Sequence, residues 1–317
     1  MPRDLSVLRG VLEMKSLEIA DYGVKLSTKG KTFVISKKDG KKVNVSPAEV
    51  DQIVIMTSGV TVTSKAIRLA LDHGIDIIFL DSRGNPFGRL FHSEPIKTVE
   101  TRKAQYLAIL KGEEEIPREI IKSKIKNQAN HIKFWFKKLG IEGNDYKLIE
   151  GKDDDEATAA RYYWHALGRI IPMKGRDPES TDPFNVSFNY AYAILYSNIQ
   201  RVLQLVGLDP YAGFIHKDRS GKPSLVYDFS EMFKPVLVDY PLVSLFINGF
   251  IPNVKDGILD AESRKKIAEA VINAMNGKVK DEGGDVRTGI QAMRAYALKL
   301  ASALRGEEKF KGFVKVW

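Results

Sequence analysis

The sequence predicts an α+β protein in which an N-terminal mainly-β domain precedes a larger all-α domain. Alternating apolar and polar residues dominate the chain up to about residue 92, and helical periodicity replaces them after Pro95. One late segment, 208–235, then brings a histidine and two acids close together in the chain. We therefore expect a β-rich domain at 1–92 and a helical domain at 93–317.

The N-terminal part is expected to fold from short strands joined by tight turns. Asp39-Gly40 is a strong hairpin signal, because Asp-Gly readily adopts the positive φ angles that such turns require. Ser64 can cap the single short helix of this domain. Strands are predicted at 16–19, 24–27, 32–35, 43–45, 51–56, 59–62, 75–80 and 87–90.

The remainder of the chain has the apolar periodicity of helices. Segments 96–112 and 117–140 come first, and the second has one apolar face. Its other face is rich in lysine, which is typical either of a solvated helix back or of a track for nucleic-acid phosphates. These lysines are Lys122, Lys124, Lys126, Lys133, Lys137 and Lys138. Further helices are predicted over 154–170, 182–206, 237–250 and 260–276.

The C-terminal part is basic. A Gly283-Gly284 hinge is expected to precede a last helix, and the tail 309–317 alternates basic and apolar residues. Such a tail could add a strand to a partner's sheet, or fray. The basic residues of the last helix are Arg287, Arg294, Lys299 and Arg305.

The composition points to a partner of opposite charge. Lys and Arg number 49 against 40 Asp and Glu, a net charge of +9, which suits a polyanion, although an unremarkable basic surface explains it too. The absence of cysteine excludes disulfides, thiolate metal sites and a cysteine nucleophile. No apolar run approaches the ~20 residues of a membrane span, and the first residues are not a secretory signal. We expect a cytoplasmic protein without membrane contact.

The candidate site lies in the late segment. His216 stands twelve residues before Asp228, and Glu231 follows three further on. Residues 218–221 are typical of a tight turn, and Pro223 suits the first turn of a helix. Residues three apart share a helix face, so the two carboxylates can face one point, and the turn could return the histidine to it.

Glu156 lies in the first turn of the amphipathic helix predicted at 154–170. It is the best candidate for a further ligand. Two or three carboxylates with one imidazole form a hard site that favours Mg²⁺ or Mn²⁺. Spacing alone does not bring Glu156 to His216. An acidic pair is often a solvated helix edge, and a lone histidine is often structural. The apolar residues around Asp228 and Glu231 favour half-buried carboxylates, which need a cationic partner.

Four separated stretches resemble, in order, the signatures of the CRISPR-associated spacer integrases, the universal "Cas one" endonuclease family. One departure is Ala157, which stands where the family usually has glycine directly after its glutamate. The matching stretches are 74–90; Glu156 with the small residues after it; 182–196; and Gly207-Leu208-Asp209-Pro210 with His216, Ser224-Leu225, Asp228, Glu231 and Lys234-Pro235.

The resemblance implies an integrase in which the 3′-hydroxyl of a protospacer attacks the phosphodiester at a CRISPR repeat boundary. It implies that Glu156, His216 and Glu231 are metal ligands for Mg²⁺ or Mn²⁺ and that Asp228 is a fourth catalytic residue. Lys234 could steady a phosphate.

The helix at 182–206 resembles a family helix that lines the same cleft. Asn185 and Tyr190 could be polar DNA contacts there, or Asn185 could tie buried helices together. The implied partners are double-stranded DNA (protospacer and repeat), a second copy of the chain joined through the N-terminal domain, and a small second CRISPR-associated protein. The rival hypotheses are a metal-dependent nuclease of DNA repair and a non-catalytic DNA-binding subunit.

Overall fold

The computed structural model describes residues 16–47, 50, 52–73, 75–81, 84, 86–90, 99–152, 155–216 and 221–317. The chain divides into two compact units, residues 1–79 with 88–92 and residues 80–87 with 93–317. Of the turn predicted at 218–221, only Gly221 is described, and its φ of 78° is the left-handed value that favours glycine in turns. Residues 218–220 lie outside the described part.

The N-terminal strands form two four-stranded sheets, in the orders β1-β5-β7-β8 and β4-β3-β2-β6. The first sheet pairs β1, β5 and β7 in parallel, whereas β2, β3 and β4 form an antiparallel meander. The strands are β1 (Ser16–Ile19), β2 (Lys25–Lys29), β3 (Thr32–Ser36), β4 (Lys42–Val45), β5 (Gln52–Ile55), β6 (Thr61–Val62), β7 (Asp76–Leu80) and β8 (Pro86–Leu90), with helix α1 (Ser64–Asp72) between β6 and β7.

The core of the first unit follows the period-two pattern of its strands. Phe33 and Ile35 on β3 are buried while their neighbours are partly exposed, which places alternate side chains in the interior. Leu26, Ile53 and Ile77 from neighbouring strands join them. Thr63, one residue before the predicted cap, is the residue that caps α1. The predicted order of a β-rich region followed by helices is confirmed.

The second unit is built mainly from helices. The longest, α3, ends at Gly140, whose φ of 66° is the left-handed value common at helix C-termini. Asp182 caps α6 by accepting the N–H groups of Phe184 and Asn185, with Pro183 at the first position as predicted. The helices are α2 (Val99–Leu110), α3 (Glu115–Leu139), α4 (Asp145–Glu150), α5 (Glu156–Gly168), α6 (Pro183–Leu205), α7 (Ser224–Ser230), α8 (Tyr240–Ile247), α9 (Ala261–Asn276) and α10 (Gly289–Leu304).

Short strands correct two details of the C-terminal prediction. The expected Gly283-Gly284 hinge is the turn between the antiparallel strands β11 (Lys278–Asp281) and β12 (Val286–Thr288), so Arg287 lies on a strand rather than on the last helix. The tail pairs within its own chain, because β13 (Lys315–Val316) adds to β11. A further hairpin joins β9 (Val254–Lys255) to β10 (Ile258–Leu259).

Asn127 explains why the tail is ordered against its own chain. Its buried amide donates to the carbonyl groups of Met232 and Phe313, and its oxygen accepts the N–H of Lys315. Within the described residues, no helix is both long and apolar enough to cross a membrane.

Candidate active site

Asp228, on α7, anchors the segment that carries the histidine. The carboxylate is fully buried and accepts hydrogen bonds from the backbone N–H groups of Phe214 (2.6 Å), Ile215 (2.9 Å) and His216 (3.0 Å). A buried carboxylate needs such donors, because an unpaired one would lose its hydration without compensation. One side chain of α7 therefore fixes the backbone of 214–216.

The same carboxylate orients the imidazole ring of His216. Nδ1 lies 2.6 Å from Asp228 Oδ1, and the histidine side chain remains 46% exposed. The hydrogen bond to Asp228 raises the pKa of His216 more than its partial burial lowers it. When Nδ1 donates to the carboxylate, Nε2 becomes the ring nitrogen that can bind a ligand, an arrangement common at metal-binding histidines.

Glu156 and Glu231 meet at a shared lysine. Lys124 Nζ, on α3, lies 2.5 Å from Glu156 Oε1 and 2.7 Å from Glu231 Oε2. The second oxygen of Glu231 lies 2.5 Å from Lys234 Nζ. Glu156 is the first residue of α5, which Asp155 caps, so the position predicted for it in a first helical turn is confirmed.

Charge, rather than hydration, stabilises this cluster. Burial alone would raise the pKa of Glu231, but the ammonium groups of Lys124 and Lys234 outweigh burial and lower that pKa to about 2. Burial likewise lowers the pKa values of both lysines, and the carboxylates reverse the effect, so both pKa values are raised. All three groups are therefore charged at neutral pH, and removing one would leave a buried charge unpaired.

The cluster opens into a cavity of about 530 Å³. Gln128, one turn after Lys124 on α3, contributes a buried amide whose Oε1 has no hydrogen-bond partner within the described part of the chain. A buried acceptor of this kind is rare in folded proteins. The cavity is lined by Lys124, Gln128, Ala160, Trp164, Arg176, Pro178, Asn189, Tyr192, Tyr196, Glu231, Lys234, Pro235 and Asp239.

A basic wall of the cavity, formed by Lys234 and Arg176, lies beside the Tyr192 ring. Lys234 Nζ lies 5.2 Å from the centre of the Tyr192 ring, and the guanidinium of Arg176 lies 5.5 Å from the same centre. Arg176 is held by two amides of α6, Asn185 (2.9 Å) and Asn189. The fixed fork of a guanidinium suits a phosphate group, and the neighbouring ammonium adds a second positive charge.

The three predicted DNA contacts occupy different places. Lys234 lines the cavity. Asn185 is only 4% exposed and positions Arg176 instead of lining the cavity itself. Tyr190 is 1% exposed, and its ring packs against Gly84, where an added Cβ would lie 2.3 Å from the ring. Tyr190 is thus a core residue in this structure.

A π-helical turn places an additional acid in the cavity. Residues Pro235–Asp239 form this turn, directly after Lys234. Hydrogen bonding from residue i to i+5 brings residues five apart towards one face, so Asp239 lines the same cavity as Lys234. The hydroxyl groups of Tyr163 and Tyr192 each donate to Asp239 at 2.7 Å, and burial raises the pKa of this carboxyl.

A chain of hydrogen bonds leads from the interior to Asp239. The indole N–H of Trp135 donates to His131 Nε2 (2.8 Å), so His131 Nδ1 carries the hydrogen and donates to the Tyr163 hydroxyl (2.8 Å). That hydroxyl donates to Asp239. Burial lowers the pKa of His131 to about 3, which agrees with a neutral ring.

The four predicted catalytic residues are found as two pairs. Glu156 and Glu231 converge on Lys124, whereas His216 is bound to Asp228 and not to the glutamates. Across the part of the chain that the structure describes, no three His, Cys, Asp or Glu side chains are grouped so that they could hold a metal ion. Asp228 is hydrogen-bonded to backbone amides and to the imidazole of His216, whereas Glu231 is paired with Lys124 and Lys234.

The donor chemistry nevertheless fits a hard divalent cation. Two carboxylates meet at one position that a cation, the Lys124 ammonium, already fills. The charge of Glu231 raises the pKa of His216, so the two pairs lie within electrostatic range of each other. Two carboxylates and an imidazole nitrogen are ligands that Mg²⁺ or Mn²⁺ accepts.

Sequence reasoning missed Lys124 and Gln128. Lys124 was grouped with the lysines of the helix back, although Lys124, Gln128, His131 and Trp135 recur at helical spacing and define one stripe of α3. Asp239 was missed because the π-helical turn shifts it onto the cavity face.

Two solved structures share this fold. A casposase bound to an integration product superposes with a TM-score of 0.79 at 23% identity, covering 94% of this chain and 93% of that one. A CAS1 protein from Thermotoga maritima superposes with a TM-score of 0.75 at 19% identity, covering 94% of this chain and 99% of that one. The architecture thus belongs to the class of folds found in casposase and CAS1 structures.

The chain belongs to the family described as CRISPR associated protein Cas1, whose model matches residues 17–152 and 153–273. The CRISPR-associated endonuclease Cas1 2 of Saccharolobus solfataricus is 45% identical over 96% of this chain and 99% of its own length. The CRISPR-associated endonuclease Cas1 of Hyperthermus butylicus is 32% identical over 94% of this chain and 98% of its own length.

Proposed function

We propose that this chain is a divalent-metal-dependent DNA integrase that inserts new spacers into a CRISPR array. The observation that carries the proposal is the convergence of Glu156 and Glu231 on one cation position, at a cavity that Arg176 and Lys234 also line. This geometry can hold a cation and a phosphate side by side. Membership of the Cas1 family, in which relatives are named endonucleases, supports DNA as the substrate.

Glu156, Glu231 and the Nε2 atom of His216 are the groups that would hold Mg²⁺ or Mn²⁺. Such an ion, when bound, neutralises the charge that develops on a phosphoryl oxygen during in-line displacement. Asp228 keeps Nε2 free for this purpose by accepting the hydrogen on Nδ1. Asp228 is then a positioning residue rather than a fourth ligand.

The basic wall would bind the phosphodiester that reacts. Arg176, held by Asn185 and Asn189, and Lys234, held by Glu231, offer donors in fixed positions. The 3′-hydroxyl of the incoming DNA loses its proton to water as its oxygen forms a new bond to phosphorus at the repeat boundary. The 3′-oxygen of the repeat strand leaves and takes up a proton, so the number of phosphodiester bonds is unchanged.

The same site could use water as the nucleophile, which would make the chain a nuclease. We favour strand transfer because a structure with this fold is a casposase captured with its integration product. For partners, we propose double-stranded DNA, a second copy of the chain and a small second CRISPR-associated protein. A related structure of comparable fold is described as a Cas6-RT-Cas1–Cas2 complex, of which this chain covers 36%.

The deciding experiment offers a labelled DNA duplex to a supercoiled plasmid that carries a CRISPR repeat, with Mn²⁺ or with EDTA. We expect the label to become covalently joined to the plasmid only with Mn²⁺ and only when the duplex ends in a 3′-hydroxyl. A matched duplex with 3′-deoxy ends is the control.

Relaxed or nicked plasmid without joined label would favour the nuclease. Absence of both products with bound DNA would favour the non-catalytic subunit. Glu231→Gln, checked for retained folding by circular dichroism, should abolish joining.

A further inference from the structure

A second cavity, of about 660 Å³, borders a different face of α3 from the one that carries Lys124 and Gln128. Its size is that of ordinary small-ligand or nucleotide sites. Its wall combines lysines with aromatic rings of α3 and the C-terminal tail. It is lined by Asn130, Lys133, Phe134, Lys137, Lys138, Glu282, Lys315, Val316 and Trp317.

The lysines of α3 divide into two groups by their partners. In the first half of the helix, Lys122 is 4.0 Å from Glu119, Lys124 bridges two glutamates, and Lys126 is 2.6 Å from Glu282. In the second half, no ion pair within the described residues involves any lysine. The lysines of this second half are Lys133, Lys137 and Lys138, and all three line the second cavity.

Two of these lysines, Lys133 and Lys138, lie over aromatic rings rather than beside carboxylates. Lys138 Nζ is 4.9 Å from the centre of the Trp135 ring, and Lys133 Nζ is 5.5 Å from that of Tyr146. A ring attracts an ammonium electrostatically but does not accept hydrogen bonds as a carboxylate does. The N–H donors of these lysines therefore remain available to an anion.

Lys315 adds a fourth ammonium from the tail. Its Nζ lies 3.6 Å from the centre of the Trp317 ring, and its backbone is fixed by the hydrogen bond to Asn127. Burial lowers the pKa of Lys315 to about 8. The acid that lines this cavity, Glu282, is already paired with Lys126, so it does not neutralise the four lysines.

The helix dipole explains only part of this arrangement. Lys137 and Lys138 lie in the last turn of α3, where the helix dipole stabilises a cation. Lys133 lies outside that turn, and Lys315 belongs to another element. Four lysines from two elements thus surround one cavity.

We propose that this second cavity is a phosphate-binding site for the nucleic-acid backbone, a DNA contact outside the active cleft. The inference rests on the proposed function for the choice of polyanion, while its residues are separate from those of the proposed chemistry. It also gives a function to the lysine-rich helix face for which the sequence left two interpretations open.

The test compares the wild-type chain with the variant Lys133→Gln, Lys137→Gln, Lys138→Gln, since glutamine keeps helix propensity and length. A 30-base-pair duplex is titrated in EDTA from 50 to 300 mM NaCl, so that binding is measured without turnover. The control variant Lys103→Gln, Lys111→Gln, Lys265→Gln removes the same charge from exposed positions that line neither cavity.

We expect the cavity variant to reduce the slope of log affinity against log salt by about 2 to 3, because each lost phosphate contact removes about 0.9 from the slope. Its affinity at 100 mM NaCl should fall at least about tenfold, whereas the control variant should keep the wild-type slope. Equal changes in both variants, or none in either, would overturn the proposal.

A second arm tests the choice of anion. The DNA duplex, a poly-aspartate decapeptide and inorganic phosphate are each titrated into the chain while the fluorescence of Trp317 is followed. The variant Trp317→Phe gives the reference signal. Tighter binding of the peptide than of the duplex would overturn the assignment to nucleic acid. Strand transfer at saturating DNA should survive in the cavity variant and fail in Glu231→Gln, so loss of one proposal is distinguishable from loss of the other.

Discussion

At the scale of single residues, Lys124 stands at the centre of the candidate site. Its ammonium lies between two carboxylates that would otherwise repel each other at close range. It therefore stabilises the cluster in the absence of another cation. The same position makes it a competitor for any divalent ion that Glu156 and Glu231 would bind.

We expect Lys124→Gln to lower the free energy of unfolding by about 3 kcal/mol in EDTA, as is typical when one partner of a buried ion pair is removed. Mn²⁺ should restore more stability to this variant than it adds to the wild type, because no ammonium needs to be displaced. Urea denaturation with EDTA or Mn²⁺ measures both effects.

Lys122→Gln is the matched control for this prediction, since Lys122 makes only an exposed, 4.0 Å contact with Glu119. It should change the free energy of unfolding by less than about 0.5 kcal/mol and gain as much stability from Mn²⁺ as the wild type does. If Mn²⁺ stabilised Lys124→Gln and the wild type equally, the Lys124 ammonium would not compete with the divalent ion.

His131 gives the molecule a pH dependence with a definite sign. Burial lowers its pKa to about 3 in the folded state, whereas the unfolded state has an ordinary value near 6.5. The unfolded chain therefore binds the proton more tightly, and stability is lost as the pH falls below 6.5. Between pH 7.5 and pH 5 this one group should remove about 2 kcal/mol.

The variant His131→Gln isolates that contribution. Glutamine can still accept from Trp135 and donate to Tyr163, but it cannot be protonated in this range. Urea denaturation at several pH values should give the variant a profile flatter by about 2 kcal/mol over the same interval. An unchanged profile would mean that another group carries the dependence.

At the scale of elements, one amide of α3 connects the tail strand β13 to the rest of its unit, beside the pairing of β13 with β11. Asn127 satisfies the carbonyl groups of Met232 and Phe313 and the N–H of Lys315. Its replacement leaves up to three buried backbone groups without partners, each of which costs about 1–3 kcal/mol.

We expect Asn127→Ala to destabilise the chain by about 3 kcal/mol and to raise amide hydrogen exchange selectively in the tail. Hydrogen exchange followed by mass spectrometry reads out both. Asn130→Ala, three residues along the same helix, should have little effect on the exchange of the tail. Uniformly faster exchange throughout the unit would show that Asn127 supports the whole core instead.

The elements also show where sequence reasoning succeeds and where it stops. Local signals were enough for α6, because Asp182 and Pro183 specify a helix start by themselves. The π-helical turn at Pro235–Asp239 was not foreseen, since apolar periodicity does not distinguish one extra residue in a turn from a regular helix. The tail strand was also out of reach, because its pairing depends on contacts with α3 and β11, which are distant in sequence.

At the scale of the whole molecule, the candidate site depends on segments far apart in the chain. The turn and helix signals in segment 208–235 predicted that His216 returns towards the helix that carries Asp228, and the structure pairs these two residues. The same segment gave no sign that Lys124, more than a hundred residues earlier, forms an ion pair with Glu231. Such a meeting is decided by the packing of α3 against the elements around it.

The assembly of the molecule gives a further test. The proposed function includes a homodimer. Light scattering coupled to size-exclusion chromatography should therefore give twice the 35.6 kDa mass of one chain, at micromolar concentration in 0.5 M NaCl. High salt screens non-specific association of this basic protein, so a dimer that persists there reflects a specific interface. A mass of one chain under these conditions would contradict the homodimer.

The chain of hydrogen bonds behind the cavity has one more consequence. Every hydrogen in it points from Trp135 towards Asp239, and it begins at an indole, which does not give up its proton at any physiological pH. This series of hydrogen bonds therefore stabilises the structure and does not relay protons. Protons released in the cleft therefore do not leave along this series of hydrogen bonds.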